Sequence, residues 1–205
     1  SPCLTRSCTN CHSAASVRIA RLARDLCGGT PERVILAFDT EGSLATTHES
    51  QGSDMGLFGG LLGWDADDAR LPDSAAALRS AGVDLRIDIA KLDDPHPNTY
   101  RLQLWKNGVE HRLVALSTGG GMIEVVSIDG APVQLFGDYA VTVLDVTGDG
   151  RALATALAAR ADVDDVVVTG AAQNLVVVSA QRFLDDDALA KYTGIRRVRR
   201  LSPVL

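Results

Sequence analysis

Between residues 13 and 26, apolar side chains recur at helical spacing. Ala15, Ile19, Leu22, Ala23 and Leu26 share one face, and Arg18, Arg21, Arg24 and Asp25 occupy the other, which predicts an amphipathic helix. Gly28 and Gly29 supply its stop. The run 34–38 reads as a buried strand. A glycine- and hydroxyl-rich stretch, 42–54, then leads into an apolar helix over 55–64, for which Ser53 or Asp54 would serve as N-cap. Pro72, Asp73 and Ser74 open another short helix that Gly82 closes, and 83–89 alternates apolar and charged residues like a strand with one wet face. Runs 100–105 and 111–116 flank Lys106-Asn107-Gly108, a strong hairpin signal because Asn and Gly tolerate positive φ. A second hairpin joins 122–128 to 133–136 across Asp129-Gly130. Between the two hairpins, Gly119-Gly120-Gly121 interrupts the strand pattern.

Beyond Gly137 the pattern restarts. It runs as strand (139–146), helix (151–161), strands (163–169 and 175–180), helix (184–192) and strand (195–201). That βαββαβ order predicts a ferredoxin-like sandwich with helices on one face of an antiparallel sheet. The fold class is therefore α+β, with one unit over 1–137 and a second over 138–205. No internal repeat or low-complexity tract interrupts it.

The chain has 205 residues, 46% of them hydrophobic and 22% charged, enough for two modest cores. Its net charge of −6 argues against nucleic acid or an anionic membrane as the main partner, because both attract basic faces. A small molecule or another protein is the better expectation. No stretch has the roughly 18 uncharged apolar residues of a spanning helix, and the first residues lack a secretory apolar region, so a soluble, cytoplasmic protein is expected. The first residue is Ser1 rather than Met, which leaves open a processed product or a segment of a longer chain.

All four cysteines fall within the first 27 residues, unlike the dispersed framework of a disulfide-stapled secreted domain. Cys3, Cys8 and Cys11 form a C-x4-C-x2-C run, with Cys27 further on. Three readings remain open: reduced spectator thiols; an iron–sulfur cluster or metal on Cys3, Cys8 and Cys11, with Cys27 or His12 as a further ligand; or a regulatory disulfide.

Several segments, in order, carry a resemblance. They are Cys11-His12-Ser13 before an Arg18-Ile19 helix; Gly42-Ser43-Leu44-Ala45-Thr46-Thr47 through Gly52-Ser53-Asp54 to Gly59-Gly60-Leu61-Leu62-Gly63; His96-Pro97-Asn98-Thr99; and Ser117-Thr118-Gly119-Gly120-Gly121-Met122-Ile123-Glu124. Together they resemble the β component of the iron–sulfur-dependent L-serine dehydratases, from about Thr9 to Phe136. The tail is similar to the ACT-like module of the two-subunit enzyme. The resemblance implies a serine dehydratase β-type α/β domain followed by an ACT-like domain, and a lyase that turns L-serine or a related β-hydroxy amino acid into a 2-oxo acid and ammonia. It also implies an α component holding a 4Fe-4S cluster, so the expected state is a homo- or hetero-oligomer.

On this resemblance the catalytic candidates are His12, Gln51 and Asp54. The substrate-binding candidates are Thr9, Asn10, Cys11, Ser13, Ser43, His96, Asn98, Thr99, Gly119, Gly120 and Gly121. The segment 9–13 is expected just before a helix, where free N–H groups and the positive dipole end favour a carboxylate; Ser13 or Thr9 acting as a plain helix cap fits equally. His12 suits proton transfer, hydrogen bonding or ligation. His96 and the triple glycine can equally be turn chemistry.

Two departures qualify the resemblance. The family's second loop reads roughly Gly-His-Gly-Thr-Asp, whereas here Gln51 replaces the histidine, and an amide cannot exchange a proton as imidazole does. His48, three positions earlier, is a possible substitute. Cys11 also stands where the family has serine. A diverged enzyme and a non-catalytic regulatory protein that kept the scaffold are both compatible with these changes. In the tail, dimerisation or packing is the first expectation. An effector site at the Gly148-Asp149-Gly150 turn is the second, and Arg196, Arg197, Arg199 and Arg200 are expected as solvated strand-edge residues.

Overall fold

The computed structural model describes residues 6–47 and 52–205, and for residues 6–12 and Thr47 the backbone alone. The chain opens with helix α1 (Arg6–Leu26) and strand β1 (Arg33–Asp39). Two helices follow, α2 (Leu44–Thr47) and α3 (Ser53–Leu61), and then a 3-10 turn (Leu71–Asp73) runs into α4 (Ser74–Ser80). Strands β2 (Asp84–Ala90), β3 (Thr99–Lys106), β4 (Val109–Gly119), β5 (Met122–Ile128) and β6 (Ala131–Leu135) complete the first half. The second half comprises β7 (Ala140–Val146), α5 (Arg151–Ala158), β8 (Asp165–Thr169), β9 (Leu175–Ala180), α6 (Asp186–Leu189) and β10 (Ile195–Leu201).

The first six strands form one sheet in the order β2-β1-β3-β4-β5-β6. β1 and β2 run parallel, a pairing that requires the long crossover carrying α2, α3 and α4; β1 and β3 pair antiparallel, and β3–β4, β4–β5 and β5–β6 are antiparallel hairpins. Both hairpin expectations are met in detail. Asn107 and Gly108 have φ of 50° and 74°, and Asp129 and Gly130 have 50° and 82°, the left-handed pairs of a tight turn matched to strand twist.

The second sheet has the order β10-β7-β9-β8, all antiparallel, which is the ferredoxin-like arrangement expected of the tail. Alternation along its central strands buries both faces. Leu144, Val146, Val176 and Val178 pack with Ala154 and Leu157 of α5 and Leu189 of α6. Val141, Val143, Leu175, Val177 and Leu201 turn the other way and join the core formed by α1 and the first sheet. Every residue of β7 except Asp145 is buried, the signature of a strand covered on both sides.

Helix α1 differs from expectation in two respects. It begins at Arg6, seven residues before Ser13, because the sequence between offers no Gly or Pro to delay it. Its polar face is also only partly solvated, since none of residues 13–26 is exposed. Arg18 donates to Gly121 O at 2.6 Å, Arg21 pairs with Asp65, and the Asp25 carboxylate accepts from Ser202 N at 2.7 Å. The charged residues fasten the helix to three other segments.

Helix α3 lies against α1 with almost no space between backbones. A Cβ added at Gly56 would stand 2.5 Å from Ser13 O, and one at Gly60 would stand 2.6 Å from Ala20 Cβ. Contrary to the sequence expectation, neither Ser53 nor Asp54 caps α3. The N-cap is Gly52 in the left-handed region (φ 74°), with no side-chain cap bond, and Ser53 is the first helical residue. Residues 44–47 are helix rather than loop. The last helix shortens to Asp186–Leu189, capped by Asp185, whose Oδ1 accepts from Ala188 N at 2.6 Å.

The two sheets are further joined by a buried arginine. Arg199 on β10 pairs through Nη1 with Asp129 in the β5–β6 turn, and through Nη2 with Asp145 of β7 at 3.0 Å. His111 of β4 lies 3.5 Å from Asp129. The arginine row is thus not a uniformly solvated strand edge: Arg199 is buried, while Arg197 and Arg200 pair with Asp145 and Asp186. Burial alone would raise the Asp129 carboxyl, but hydrogen bonds from His111 and the Arg112 N–H, together with the Arg199 charge, carry it down to about 2.

Two predictions follow from this packing. Gly60→Ala should destabilise the protein by about 1–3 kcal/mol through overpacking, measured as a lower urea midpoint at unchanged slope. For Asp129, the folded carboxyl titrates lower than the unfolded one near 3.9, so its stabilisation is complete above that value and is lost as pH falls towards about 2. Asp129→Asn should therefore flatten the loss of stability between about pH 4 and pH 2, read by thermal melts across that range.

Candidate active site

Four of the segments singled out by sequence meet at one end of the first sheet. β1 ends there at Asp39, β3 begins at Thr99, and β4 ends in the triple-glycine turn. Thr99 pairs with Leu116, and Ser117 N donates to Asn98 O at 3.0 Å, which brings the His96–Thr99 segment beside the end of β4.

Asp39 organises this corner. It is buried, its Oδ1 accepts from Glu41 N at 3.0 Å, and its Oδ2 accepts from Asp94 N at 2.7 Å and Leu92 N at 3.2 Å. The Asp94 N–H, followed by that of Glu41, holds its carboxyl below the ordinary carboxylate range. One carboxylate therefore ties together the loop leaving β1 and the loop leaving β2. Asp94 in turn pairs with Arg101 of β3.

Within that frame the Ser43 hydroxyl bonds to Asn98 Oδ1, and Ser43 N donates to Pro97 O at 3.0 Å. Asn98 N donates to His96 Nδ1 at 3.1 Å, so the neutral ring carries its proton on Nε2. The Thr99 hydroxyl is buried and donates to His96 O at 2.7 Å, closing the turn. Ser43, His96 and Asn98 thus form one hydrogen-bonded group, with Thr99 as its internal brace.

Gly119, Gly120 and Gly121 have φ of 100°, 61° and 80°, three successive left-handed residues that only glycine adopts without strain. Cβ atoms added at Gly119 and Gly120 would meet nothing within 4 Å, so the glycines there serve backbone conformation, with open space beside them. The Arg18 bond to Gly121 O anchors this turn to α1.

The third contribution comes from α1 and α3. Ser13 is buried, and its hydroxyl donates to Gly52 O at 3.1 Å, fixing the entry to α3. Thr9, Asn10, Cys11, His12 and Ser13 lie inside α1 rather than in a loop before it, so their backbone N–H groups are not the free set that an N-terminal anion site requires. Asp54 sits in the first turn of α3, half-buried. Gln51, His48 and Cys3 lie outside the described residues, as do the side chains of Cys8, Thr9, Asn10, Cys11 and His12.

Two buried hydroxyls belong to the same region. Burial pushes the Tyr100 phenol up to about 12, and Ser53 is near enough to oppose that rise. The pair is nevertheless not placed for a well-formed hydrogen bond, and among the described residues both oxygens lack a partner. Orphaned hydroxyls beside a polar loop cluster are groups that a water or polar ligand completes.

Among the described residues, no three His, Cys, Asp or Glu side chains come together as a metal would need. Burial pushes the Cys27 thiol up to about 11, leaving it protonated at neutral pH and a poor ligand. The sequence reading missed Asp39 and Arg18. Asp39 carried a signal, an Asp at the end of an apolar run followed by Thr40-Glu41-Gly42, the composition of an Asx-type turn. Arg18 had none beyond its place on the polar face of α1.

No protein-family model matches the chain. It is 34% identical over 128 residues, 62% of its length, to a protein described as the probable L-serine dehydratase, β chain, of Bacillus subtilis (strain 168). It is 31% identical over 136 residues to the L-serine dehydratase, β chain, of Peptoniphilus asaccharolyticus. The chain spans 57% and 60% of the length of these two relatives. Over the matched region, the chain is similar in sequence to the β chains of L-serine dehydratase.

Proposed function

We propose that this chain is the β part of an iron–sulfur-dependent ammonia-lyase, working with an α partner on L-serine or a related β-hydroxy amino acid. The observation that carries the proposal is that the loop segments resembling the β chains converge on one end of the first sheet, as the Ser43, His96 and Asn98 group beside the glycine turn.

In this reading the α partner holds the 4Fe-4S cluster, which supplies Lewis acidity towards the substrate's carboxylate and hydroxyl. This chain orients the substrate. Asn98 and Ser43 offer an amide and a hydroxyl already fixed to each other, so little rotamer freedom is lost on binding. The His96 ring, locked at Nδ1, presents its proton at Nε2. The glycine turn lets main-chain amides approach a ligand without side-chain obstruction. His12 is assigned to proton transfer at the substrate.

The Gln51 substitution favours a second reading, a regulatory protein that keeps the scaffold. The two readings separate on one experiment. The chain mixed anaerobically with a cluster-loaded α partner should form 2-oxo acid from L-serine or a close analogue; no product from serine, threonine or related β-hydroxy amino acids would overturn the enzymatic reading. Gain of serine turnover by Gln51→His would identify a diverged active site. In an active pair, Asn98→Ala should lower kcat/KM on the order of 10²-fold while the melting temperature changes by only a few degrees, because the lost contact positions substrate.

A further inference from the structure

Beside the C-terminal end of α1, with the Ser13 and Arg18 contacts of the loop cluster further back along the helix, a cleft of about 500 Å³ opens between the two sheets. Arg24 and Cys27 line one side, at the end of α1. His111 of β4 and the β10 residues Arg197, Arg199 and Arg200 complete the wall. The guanidinium groups of Arg24, Arg197 and Arg199 and the His111 imidazole thus share one space, while the Arg200 guanidinium turns to Leu184 O and Asp186 on the other face of β10. Asp25 is the acid in the lining; Asp129 and Asp145, the partners of Arg199, are not part of it. The Asp25 carboxylate is engaged by Ser202 N at 2.7 Å.

Among the described residues, two nitrogens in this wall are unsatisfied. Arg199 has a side chain only 5% exposed, and its Nε is buried without a hydrogen-bond partner there, as is Nε of Arg24. A charged donor buried without an acceptor costs free energy that an incoming acceptor would recover. Cys27 adds no negative charge, because burial keeps its thiol protonated. The end of a helix dipole disfavours an anion, but here that effect is offset. Gly28 N and Gly29 N return to Asp25 O and Arg24 O, and Lys106 Nζ donates to Gly28 O at 3.0 Å.

From this we infer a binding site for a small oxyanion, a phosphate monoester or a dicarboxylate, held between α1 and β10 with Arg24 and Arg199 as donors. The two ligand types share the chemistry that the wall recognises, acceptor-only oxygens suited to guanidinium forks. The cleft is larger than a bare ion, so a small organic acid fits it. The donors come from both halves of the chain, and the site is separate from the loop cluster of the proposed lyase.

The inference does not depend on that lyase reading and is tested without turnover. The full chain is melted in inorganic phosphate or malonate at 10 mM, with ionic strength matched by chloride. A rise of at least about 3 °C in either anion over the chloride control is expected, and which anion gives it separates the two ligand types. Arg24→Gln should abolish the rise. If Arg24→Gln does not fold, Arg197→Gln, which removes a neighbouring positive charge of the wall and leaves Arg199 paired with Asp145, should raise the anion's dissociation constant at least about tenfold by calorimetry, and an unchanged constant would overturn the site. Equal melting temperatures in chloride and in both anions, or a folded Arg24→Gln chain with an undiminished shift, would overturn it.

Discussion

Helix α1 has no exposed residue from Ser13 to Leu26, and the placement of the other elements follows from how each meets it. Its small-residue stripe admits α3 at backbone contact, because Gly56 and Gly60 carry no Cβ to hold the helices apart. Its apolar residues fill the space over the first sheet and under the second. Its charged residues, normally directed to water, reach Gly121, Asp65 and Ser202. A helix packed on most of its circumference transmits a shift at one end to the elements packed along it, since close-packed interiors do not absorb displacement.

That geometry explains why the loop cluster is orderly although it is built from turns. Asp39 ties two loops, Arg18 ties a third and Ser13 ties the start of α3, so the polar group of Ser43, His96 and Asn98 rests on scaffold elements. Fixed polar groups on rigid elements are what recognition of a small polar ligand requires. The electrostatic seam at Arg199 has a different character. It links β5–β6, β7 and β10 through charge, and removing one partner from a buried set costs about 3–5 kcal/mol because the other charges remain stranded.

Much of the fold could be read from the chain because local signals agreed with the global result. Asn107-Gly108 and Asp129-Gly130 each specified a hairpin through φ requirements that few other residues meet. The βαββαβ order of the tail also sufficed to anticipate its sheet. What escaped was decided by tertiary context. Arg18, Arg21 and Asp25 gave an amphipathic pattern, yet their partners lie 44 to 177 residues away in sequence and leave no local trace. The start of α1 escaped because helix extension upstream depends on an absence of breakers, a weak signal. Within the candidate site, motif order singled out the loops, but the pairing of Ser43 with Asn98 and the central position of Asp39 depend on two loops meeting across the end of a sheet.

The double burial of β7 and β9 bears on how such a protein can be rearranged. A ferredoxin-like unit is often an exchangeable cassette, joined to its neighbour by a tether and a modest interface. Here the underside of the second sheet is the roof of the first core, with Val141, Val143, Val177 and Leu201 pressed into it. Cutting the chain at Gly137 would expose apolar surface on both pieces. Grafting a foreign module in its place would require re-matching side chains along the whole seam. The two halves, legible as separate patterns in the sequence, are a single unit of inheritance in three dimensions.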